Sequence, residues 1–183
     1  TLTVSTAQAT GRVISGAGDV TVNALAANAN LASVSASGTV TANVADDLDY
    51  SANTNIATVD AFVIAANKTG SFSAAQGAKT ITLGSGAIAK VKVLTTSDIS
   101  GTTLSGSVTK IDVSDNATAS LSAAQAQLDI TLGSSAVAKL KVSTGTDVSG
   151  LTFDSDVTEF IVTSGTLTVS TAQATGRVIS GAG

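Results

Sequence analysis

A chain of 183 residues is long enough to bury a core without metals or disulfides, although only 12% of its residues are charged and 3% are aromatic. Its net charge of −4, with nine basic residues scattered along the chain, argues against nucleic acid as a partner. The chain has no His and no Cys, which excludes Ser-His-Asp and Cys-His nucleophiles and the usual zinc ligands, so we expect no enzyme activity and no catalytic, cofactor-binding or metal-binding residues.

In chain order, the first ambiguous segment is 24–32, whose composition tolerates helix but lacks a 3.6-residue apolar stripe. The Ser-Ala-Ala-Gln segments also tolerate helix, without a capping pattern of convincing length. Residues 80–83, 89–93 and 109–113 alternate apolar with polar side chains, which predicts short strands with one apolar face. Gly-Ser pairs and Asp or Asn clusters between these runs predict turns.

The two ends of the chain carry the same sequence. The opening segment 1–18, TLTVSTAQATGRVISGAG, recurs unchanged at 166–183, which sets a 165-residue period. Folding constraints alone would let solvent-facing positions drift, so this identity indicates duplicated copies or a designed overlap. We predict that residues 1–165 form one complete tandem repeat and that residues 166–183 start the next.

A second, looser repeat has a 49-residue spacing. A Ser-Ala-Ala-Gln marker occurs at 73–76 and 122–125, and a Ser-Thr-Ala-Gln variant occurs at 170–173. Halving these intervals predicts about seven coils of about 24 residues per 165-residue period. The other matched segments are 77–85 with 126–134, 87–93 with 136–142 and 97–101 with 146–150.

The repeats decide between two all-β architectures. A coil places equivalent residues above one another, which explains motifs at a fixed spacing, whereas the strands of a β-sandwich occupy different environments. We therefore predict an all-β chain folded as a parallel β-solenoid (β-helix), with a β-sandwich as the alternative. Seven coils with strands about 4.8 Å apart would extend roughly 34 Å.

The Thr-, Ser-, Ala- and Val-rich coils, the Ser-Ala-Ala-Gln marker and the long duplication make the chain similar to repetitive regions of large bacterial cell-surface, adhesin-type or sheath-forming proteins. The resemblance covers the whole chain and implies an extracellular or cell-surface structural segment of a filament, sheath, stalk or surface layer. Its expected partners are neighbouring copies of the repeat, end to end or laterally. The alternative is an adhesin repeat that binds a glycan or another surface. The nonapeptide of calcium-loaded β-rolls is missing.

No membrane span is expected, because the longest apolar run, 61–66, is far shorter than the roughly 18 residues that a spanning helix needs. The opening residues lack the basic and apolar regions of a signal peptide, so any export signal is expected elsewhere in a longer protein. Neither end carries an atypical capping unit. We therefore expect the isolated chain to associate end to end, and a 165-residue permutant begun at a turn such as Gly77 to fold to the same coil.

Four groups of side chains are weighed as sites. An acidic cluster offers oxygen ligands for calcium, with an ordinary polar turn as the alternative, and we expect stability to depend only weakly on the ion. Dispersed carboxylates leave glycosidase chemistry formally open. Lysines at corresponding positions predict an exposed ladder of mixed charge, and paired threonines could bind ice or sugars. The groups are Asp46, Asp47, Asp49, Ser51, Asn53 and Asn55 for calcium; Asp46, Asp47, Asp49, Asp112, Asp115, Asp154, Asp156 and Glu159 for acid-base chemistry; Lys90, Lys92, Lys139 and Lys141 with Lys110 and Asp112 between them; and Thr1, Thr3, Thr80 and Thr82.

Overall fold

The fold is all-β, as predicted, with parallel strands stacked as a β-solenoid of about nine turns and about 10% helix. The computed structural model describes residues 1–182. The strands are β1 Leu2–Ser5, β2 Ile14–Gly16, β3 Val20–Asn23, β4 Val34–Ala36, β5 Val40–Val44, β6 Leu48–Asp49, β7 Ala61–Ile64, β8 Thr69–Phe72, β9 Thr80–Leu83, β10 Ile88–Val93, β11 Ser97–Asp98, β12 Val108–Val113, β13 Thr118–Leu121, β14 Asp129–Leu132, β15 Val137–Val142, β16 Thr146–Asp147, β17 Val157–Val162, β18 Leu167–Thr168 and β19 Val178–Gly181. One-turn helices are α1 Thr6–Ala9, α2 Ala74–Gly77 and α3 Thr171–Ala174, with 3-10 turns at Thr54–Ile56 and Gln125–Gln127.

The chain forms two compact units. The first comprises Thr1–Val91 with Leu104–Thr109, and the second comprises Lys92–Thr103 with the chain from Lys110 onward. In the first unit, β1, β3, β5, β7 and β9 pair in that order, β2 pairs with β4, and β8 lies between β6 and β10. Each of these pairs is parallel, as successive coils of a solenoid require.

The second unit repeats this arrangement with its own strands. β11, β13, β15, β17 and β19 pair in that order, β12 pairs with β14, and β16 pairs with β18. All of these pairs are parallel as well. Along the six-residue strand β15, burial alternates between half-buried and buried positions, which is the period expected of a strand with one face on the core.

The coil is shorter than the sequence repeat predicts. Residues that pair between consecutive coils are 18 to 22 positions apart, as in Leu2 with Val20 and Leu48 with Gly70. A coil is thus about 20 residues long, near the lower limit for a solenoid repeat. The 49-residue spacing therefore covers two full coils and part of a third. The 49-residue repeat therefore reflects strand pairs that recur at that spacing, and it does not correspond to a whole number of coils. For this reason, half of the spacing is longer than one coil.

The local pairs nevertheless follow the 49-residue spacing closely. Ala61 pairs with Thr80, Lys110 with Asp129 and Glu159 with Val178, each pair one such spacing after the one before. The β8–β10 pair recurs in the same way as the β13–β15 pair. Similar sequence thus produces similar pairing inside each unit.

The core of the first unit is built around three aromatic rings. Tyr50, Phe62 and Phe72 are each at most 1% exposed, and the Phe72 ring centroid lies 5.7 Å from that of Tyr50 and 4.8 Å from that of Phe62. The Tyr50 hydroxyl donates a 2.7 Å hydrogen bond to Leu25 O. Burial, and then the carboxylate of Asp46, raise the pKa of Tyr50 well above its usual value.

The core of the second unit contains one aromatic pair. Phe153 and Phe160 meet edge to face with their ring centroids 5.7 Å apart. The guanidinium of Arg177 lies over the Phe160 ring, 5.4 Å from its centroid, within the range of a cation–π contact. Arg177 belongs to the second copy of the opening sequence, so this contact joins that copy to the coil before it.

Candidate functional site

The most regular polar arrangement is a buried glutamine that bonds to the preceding coil, which we call the glutamine clamp. Gln125 is 3% exposed, and its Nε2 donates to Ile99 O at 2.9 Å and to Thr102 O at 2.8 Å. Its Oε1 accepts a 2.9 Å bond from Ser122 N. One side chain thus satisfies two carbonyls of one coil and one amide of the next, groups that would be costly to bury unpaired.

The clamp occurs three times, at Gln76, Gln125 and Gln173. The other two glutamines are each 7% exposed and bond to two carbonyls of the coil before them. These bonds run from Gln76 to Tyr50 O (3.2 Å) and Asn53 O (2.7 Å), and from Gln173 to Val148 O (2.6 Å) and Leu151 O (2.8 Å). The Ser-x-Ala-Gln marker is therefore a device that joins coils.

The first of the two carbonyls in each clamp belongs to the middle residue of an Asp-x-Ser turn. In the second unit, the carboxylate of Asp98 accepts a 3.0 Å bond from Ser100 N and another from its hydroxyl. The hydrogen bond from Lys141, and then that from the Ser100 hydroxyl, lower the pKa of Asp98 to about 2. Bonds from Ser149 lower the pKa of Asp147 in the same way. These shifts come from a structural turn and an ion pair.

The marker also forms a capping box, which the sequence reading overlooked. The Ser73 hydroxyl accepts the Gln76 N–H at 3.3 Å, while the Gln76 side chain accepts the Ser73 N–H at 2.9 Å. The same reciprocal bonds begin α1 and α3. The signal was the Ser-x-x-Gln pattern itself. The helix that it caps is a single turn, which is too short to show a 3.6-residue apolar stripe in the sequence.

The acidic cluster is divided among separate partners. Asp46, Asp47 and Asp49 each bond to a different group, and residues 1–182 contain no set of three or more His, Cys, Asp or Glu side chains placed to hold a metal ion. Asn53 is used as well, with its amide on two carbonyls. The bonds are Lys68 Nζ to Asp46 (3.4 Å), Thr69 N to Asp47 (2.6 Å), Ser51 N to Asp49 (2.9 Å), Asn53 Nδ2 to Ala27 O (2.9 Å) and Ala29 O (2.8 Å), and Asn55 N to Asn53 Oδ1 (2.9 Å).

Three of the five remaining candidate carboxylates serve turns or an ion pair. Asp115 accepts a 2.8 Å bond from Ser134 N, and Asp154 accepts bonds from Ile130 N at 3.2 Å and Asp156 N at 2.8 Å. Such side chain to backbone bonds are the ordinary use of Asp in turns. Asp112 lies in β12 at the position that pairs with Thr131, and Glu159 forms an ion pair with Lys139.

The predicted lysine ladder is only partly formed, because β10 with Lys92 lies next to β12 with Lys110 and Asp112, whereas Lys139 and Lys141 lie in a different sheet. Lys139 pairs in register with Ser120 on one side and Glu159 on the other, so Lys110 does not lie beside it. Lys139 Nζ lies 2.7 Å from a Glu159 oxygen, and Lys110 forms its own ion pair with Asp129. The cause is again the shorter coil, which moves corresponding lysines onto different strand neighbours. Such solvent-accessible ion pairs individually add little to the free energy of unfolding.

The threonines form a more regular face than the sequence suggested. In the first unit, one register row contains Thr3, Thr21, Thr41, Ala61 and Thr80, so the row is Thr except at Ala61. Two positions further along these strands, a second row contains Ser5, Asn23, Asn43, Val63 and Thr82, in which Asn43 donates a 2.7 Å bond to Asn23. Neighbouring residues within a row are about 4.8 Å apart, from one strand to the next, and neither row carries a charge.

The first unit also has an open cavity of about 370 Å³ beside α2. Ile56, Val59 and Phe62 supply its apolar wall, and Gln76, with its amide already bonded, supplies part of the rim. Lys79 is the one titratable side chain among the described residues that line it. The cavity thus lacks a paired acid and base for hydrolytic chemistry.

The two copies of the 18-residue sequence pair with neighbouring coils on opposite sides. Residues 1–18 pair only with the coil that follows, through β3 and β4, whereas residues 166–182 pair only with the coil that precedes them, through β16 and β17. The change in burial follows the change in partner. Gln8 is exposed while its copy Gln173 is buried, and Ile14 is half-buried while its copy Ile179 is 46% exposed.

The two copies of the arginine, Arg12 and Arg177, differ in the same way. Arg177 donates from Nε to Val157 O at 2.7 Å and from Nη1 to Gln173 O at 2.9 Å. Its copy, Arg12, is exposed, and its guanidinium has no acceptor within residues 1–182. The segment therefore carries two long polar side chains, Gln and Arg, whose partners lie on a coil before it.

Comparisons with protein-family models, with curated proteins and with solved structures gave no match to the chain. No helix within residues 1–182 is long and apolar enough to cross a membrane.

Proposed function

We propose that the chain is a non-catalytic structural segment of a long extracellular or cell-surface repeat protein that forms a filament, sheath, stalk or surface layer. The observation that carries this proposal is the junction between repeats. Residues 166–182 continue the parallel pairing of the preceding coil in register, so one repeat passes into the next without an interruption. Copies joined in this way lengthen the protein in proportion to their number.

The use of buried polar groups supports the same proposal. Three of the four buried polar side chains within residues 1–182 are the clamp glutamines, and each joins one coil to another. A binding or catalytic site instead requires polar groups directed at a ligand. The partners that we propose are neighbouring copies of the repeat, end to end along the chain or laterally.

The proposal is tested with tandem chains that contain one, two and three repeats. Each added repeat is expected to lengthen the particle by the same increment, roughly 40 Å for about eight turns at 4.8 Å, measured by electron microscopy and small-angle scattering. In the source cells, deleting one whole repeat should shorten a surface structure that antibodies label on intact cells. Added repeats that fold without a proportionate increase in length would contradict the proposal.

A second candidate, an adhesin repeat that binds a glycan or another surface, is favoured by the uncharged threonine face of the first unit. Its test is a glycan array with the chain and with a Thr21→Lys, Thr41→Lys variant, which places two charges in the middle of the face. Saturable binding that the variant loses would favour recognition over a purely structural role. The matched control is Thr118→Lys, on a strand of the second unit.

A further inference from the structure

We infer that a second copy of this chain can dock on the coil edge formed by residues 146–162 by displacing residues 166–182 with its own residues 1–18. We call these the acceptor edge, the resident segment and the opening segment. The inference rests on the proposed structural role and adds to it the docking surface, the register and the segment that competes for it.

The resident segment defines what the acceptor edge binds. Two short strands pair with the edge, Leu167 opposite Thr146 and Val178 opposite Glu159. Between them, the Gln173 amide donates to Val148 O and Leu151 O, and the Arg177 guanidinium donates to Val157 O. The acceptor edge thus offers three backbone carbonyls and two strand edges in a fixed order.

The opening segment is already folded in the shape that this edge receives. α1 and α3 have the same capping box, and the following glycines, Gly11 and Gly176, have φ angles of 69° and 75°. Yet Leu2 is 47% exposed, and Gln8 Nε2 has no acceptor in the described chain. Docking therefore needs little rearrangement of the opening segment, which reduces its entropic cost.

The two segments also differ on their opposite edges. The opening segment is covered there by β3 and β4 of its own copy, whereas no strand within residues 1–182 pairs with that edge of the resident segment, and its Val178 and Ile179 are 61% and 46% exposed. After exchange, the opening segment would have a coil on both sides, and the displaced resident segment would be released into solvent. The exchanged arrangement continues the solenoid from one copy into the next.

Concentration and tethering decide which segment occupies the edge. The two sequences are identical, so their contacts with the acceptor edge are the same, and the resident segment is favoured because it is part of the same chain. Exchange of this kind is a form of domain swapping. Weakening the resident segment alone should therefore shift the chain towards open-ended oligomers.

The duplicated sequence allows a matched experiment on the full chain. Gln173→Glu with Arg177→Glu removes the donors of the resident segment and places a carboxylate against two carbonyls. We expect this variant to form oligomers whose size grows with concentration in sedimentation velocity, with far-UV circular dichroism retained. The same two substitutions added at Gln8 and Arg12 impair both segments and should restore the monomer. Oligomers that persist in the fourfold variant would overturn the inference.

Register is tested by a disulfide between copies, since the chain has no cysteine of its own. Glu159 pairs with Val178, whose equivalent in the opening segment is Val13. Glu159→Cys and Val13→Cys are introduced together into the variant with Gln173→Glu and Arg177→Glu. This protein should form covalent oligomers on oxidation, because directly paired residues of neighbouring parallel strands lie within disulfide range. In the control, Glu159→Cys is combined with Thr10→Cys, three positions out of register, and the yield of covalent oligomer should be at least tenfold lower. Equal yields would overturn the inference.

A peptide replaces the second copy in a test that leaves the chain unaltered. A fluorescently labelled peptide of residues 1–18 should exchange slowly onto the full chain, and peptides with Gln8→Glu or Arg12→Glu should bind at least tenfold more weakly. Equal binding of all three peptides, or none, would overturn the inference. Tandem chains that lengthen normally under those outcomes would leave the proposed structural role standing.

Discussion

At the scale of single residues, the same need recurs at several coil corners, where buried backbone carbonyls require a hydrogen-bond donor. A coil that turns its corner within a few residues leaves carbonyls directed inward, away from water and from the strand ladders. The glutamine amide has two donors and one acceptor on a side chain long enough to reach the neighbouring coil. It therefore satisfies Ile99 O and Thr102 O together in the second unit, without introducing a charge into a thin core.

We predict that Gln125→Ala lowers the free energy of unfolding by about 1–3 kcal/mol, because it leaves two buried carbonyls without a donor. The measurement is chemical denaturation followed by circular dichroism. Gln8→Ala is the matched control. Gln8 forms the same kind of capping box with Ser5, but it is exposed and its amide bonds to no carbonyl within residues 1–182. Its cost should not exceed the roughly 1 kcal/mol of a cap. Equal losses would argue against the clamp.

A second prediction concerns the ion pair between Lys141 and Asp98. Lys141→Gln should raise the pKa of Asp98 from about 2 towards its ordinary value, because the largest cause of the lowered value is removed. A lowered pKa stabilises the folded state above the unfolded pKa, and that stabilisation disappears as the pH falls from about 4 towards 2. Wild type should therefore exceed the variant by at most about 1 kcal/mol at pH 7 and equal it below pH 2.

The pKa is measured by NMR titration of the Asp98 side chain, and the stability difference by denaturation at several pH values. Lys79→Gln is the control, at a lysine whose amine forms no ion pair within residues 1–182. It should leave the titration of Asp98 unchanged. A stability difference that persisted below pH 2 would show that the ion pair is not its source.

At the scale of elements, some glycine turns bring neighbouring coils into close contact. Gly84 directly follows β9, donates its N–H to Ile64 O at 2.8 Å, and lies so near the preceding coil that an added Cβ would be 2.5 Å from Ala66 N. Gly133 occupies the equivalent place in the next 49-residue repeat, against Asp115. The atoms nearest to the added Cβ at Gly84 are all backbone, so they cannot move aside as a flexible side chain would.

We predict that Gly84→Ala destabilises the fold by about 1–3 kcal/mol, because the coils must separate to admit the methyl group. Gly106→Ala is the control: Gly106 lies in an exposed turn, its φ is not left-handed, and no atom lies within 4 Å of the added Cβ. That substitution should be neutral or stabilise slightly. Thermal denaturation of the two variants measures the difference, and equal midpoints would contradict the close approach.

The elements that alternation predicted are present, because a thin core imposes a strict in-out pattern. Strands predicted at 80–83 and 89–93 correspond to β9 and β10, and the third, at 109–113, lies within β12. The coil length was not predictable from the sequence repeat, since the 49-residue spacing counts recurring pairs and not turns. The partners of each clamp are 22 to 26 residues away from the glutamine, a distance that no local pattern encodes. Only the Ser-x-x-Gln box was visible.

At the scale of the whole molecule, the duplication makes the chain permutable. A 165-residue permutant can start at Gly86, run to Gly183 and continue with Asp19 through Ser85, so that residues 166–183 stand for the opening segment. Gly86 lies in an exposed turn. Gly77, suggested by the sequence, is instead the buried last residue of α2, and its N–H donates to Ser73 O at 2.8 Å.

We predict that the permutant begun at Gly86 folds with the far-UV circular dichroism of the parent chain, whereas one begun at Gly77 unfolds at lower denaturant concentration, because its break removes the end of α2. Their midpoints in chemical denaturation measure the difference. A Gly86 permutant that remained unfolded would contradict a coil that continues through the repeat junction.

The buried ring of Tyr50 gives the molecule a built-in reporter. The chain has no Trp and no other Tyr, so its ultraviolet emission comes from one phenol, enclosed in the first unit and bonded to Leu25 O. Emission on heating therefore records the melting of that unit alone, while the peptide chromophore records both. The temperature gap between the two melting curves measures how cooperatively the units unfold, without any label. Because burial raises the pKa of Tyr50, the absorbance of tyrosinate in alkali should likewise appear only when this unit opens.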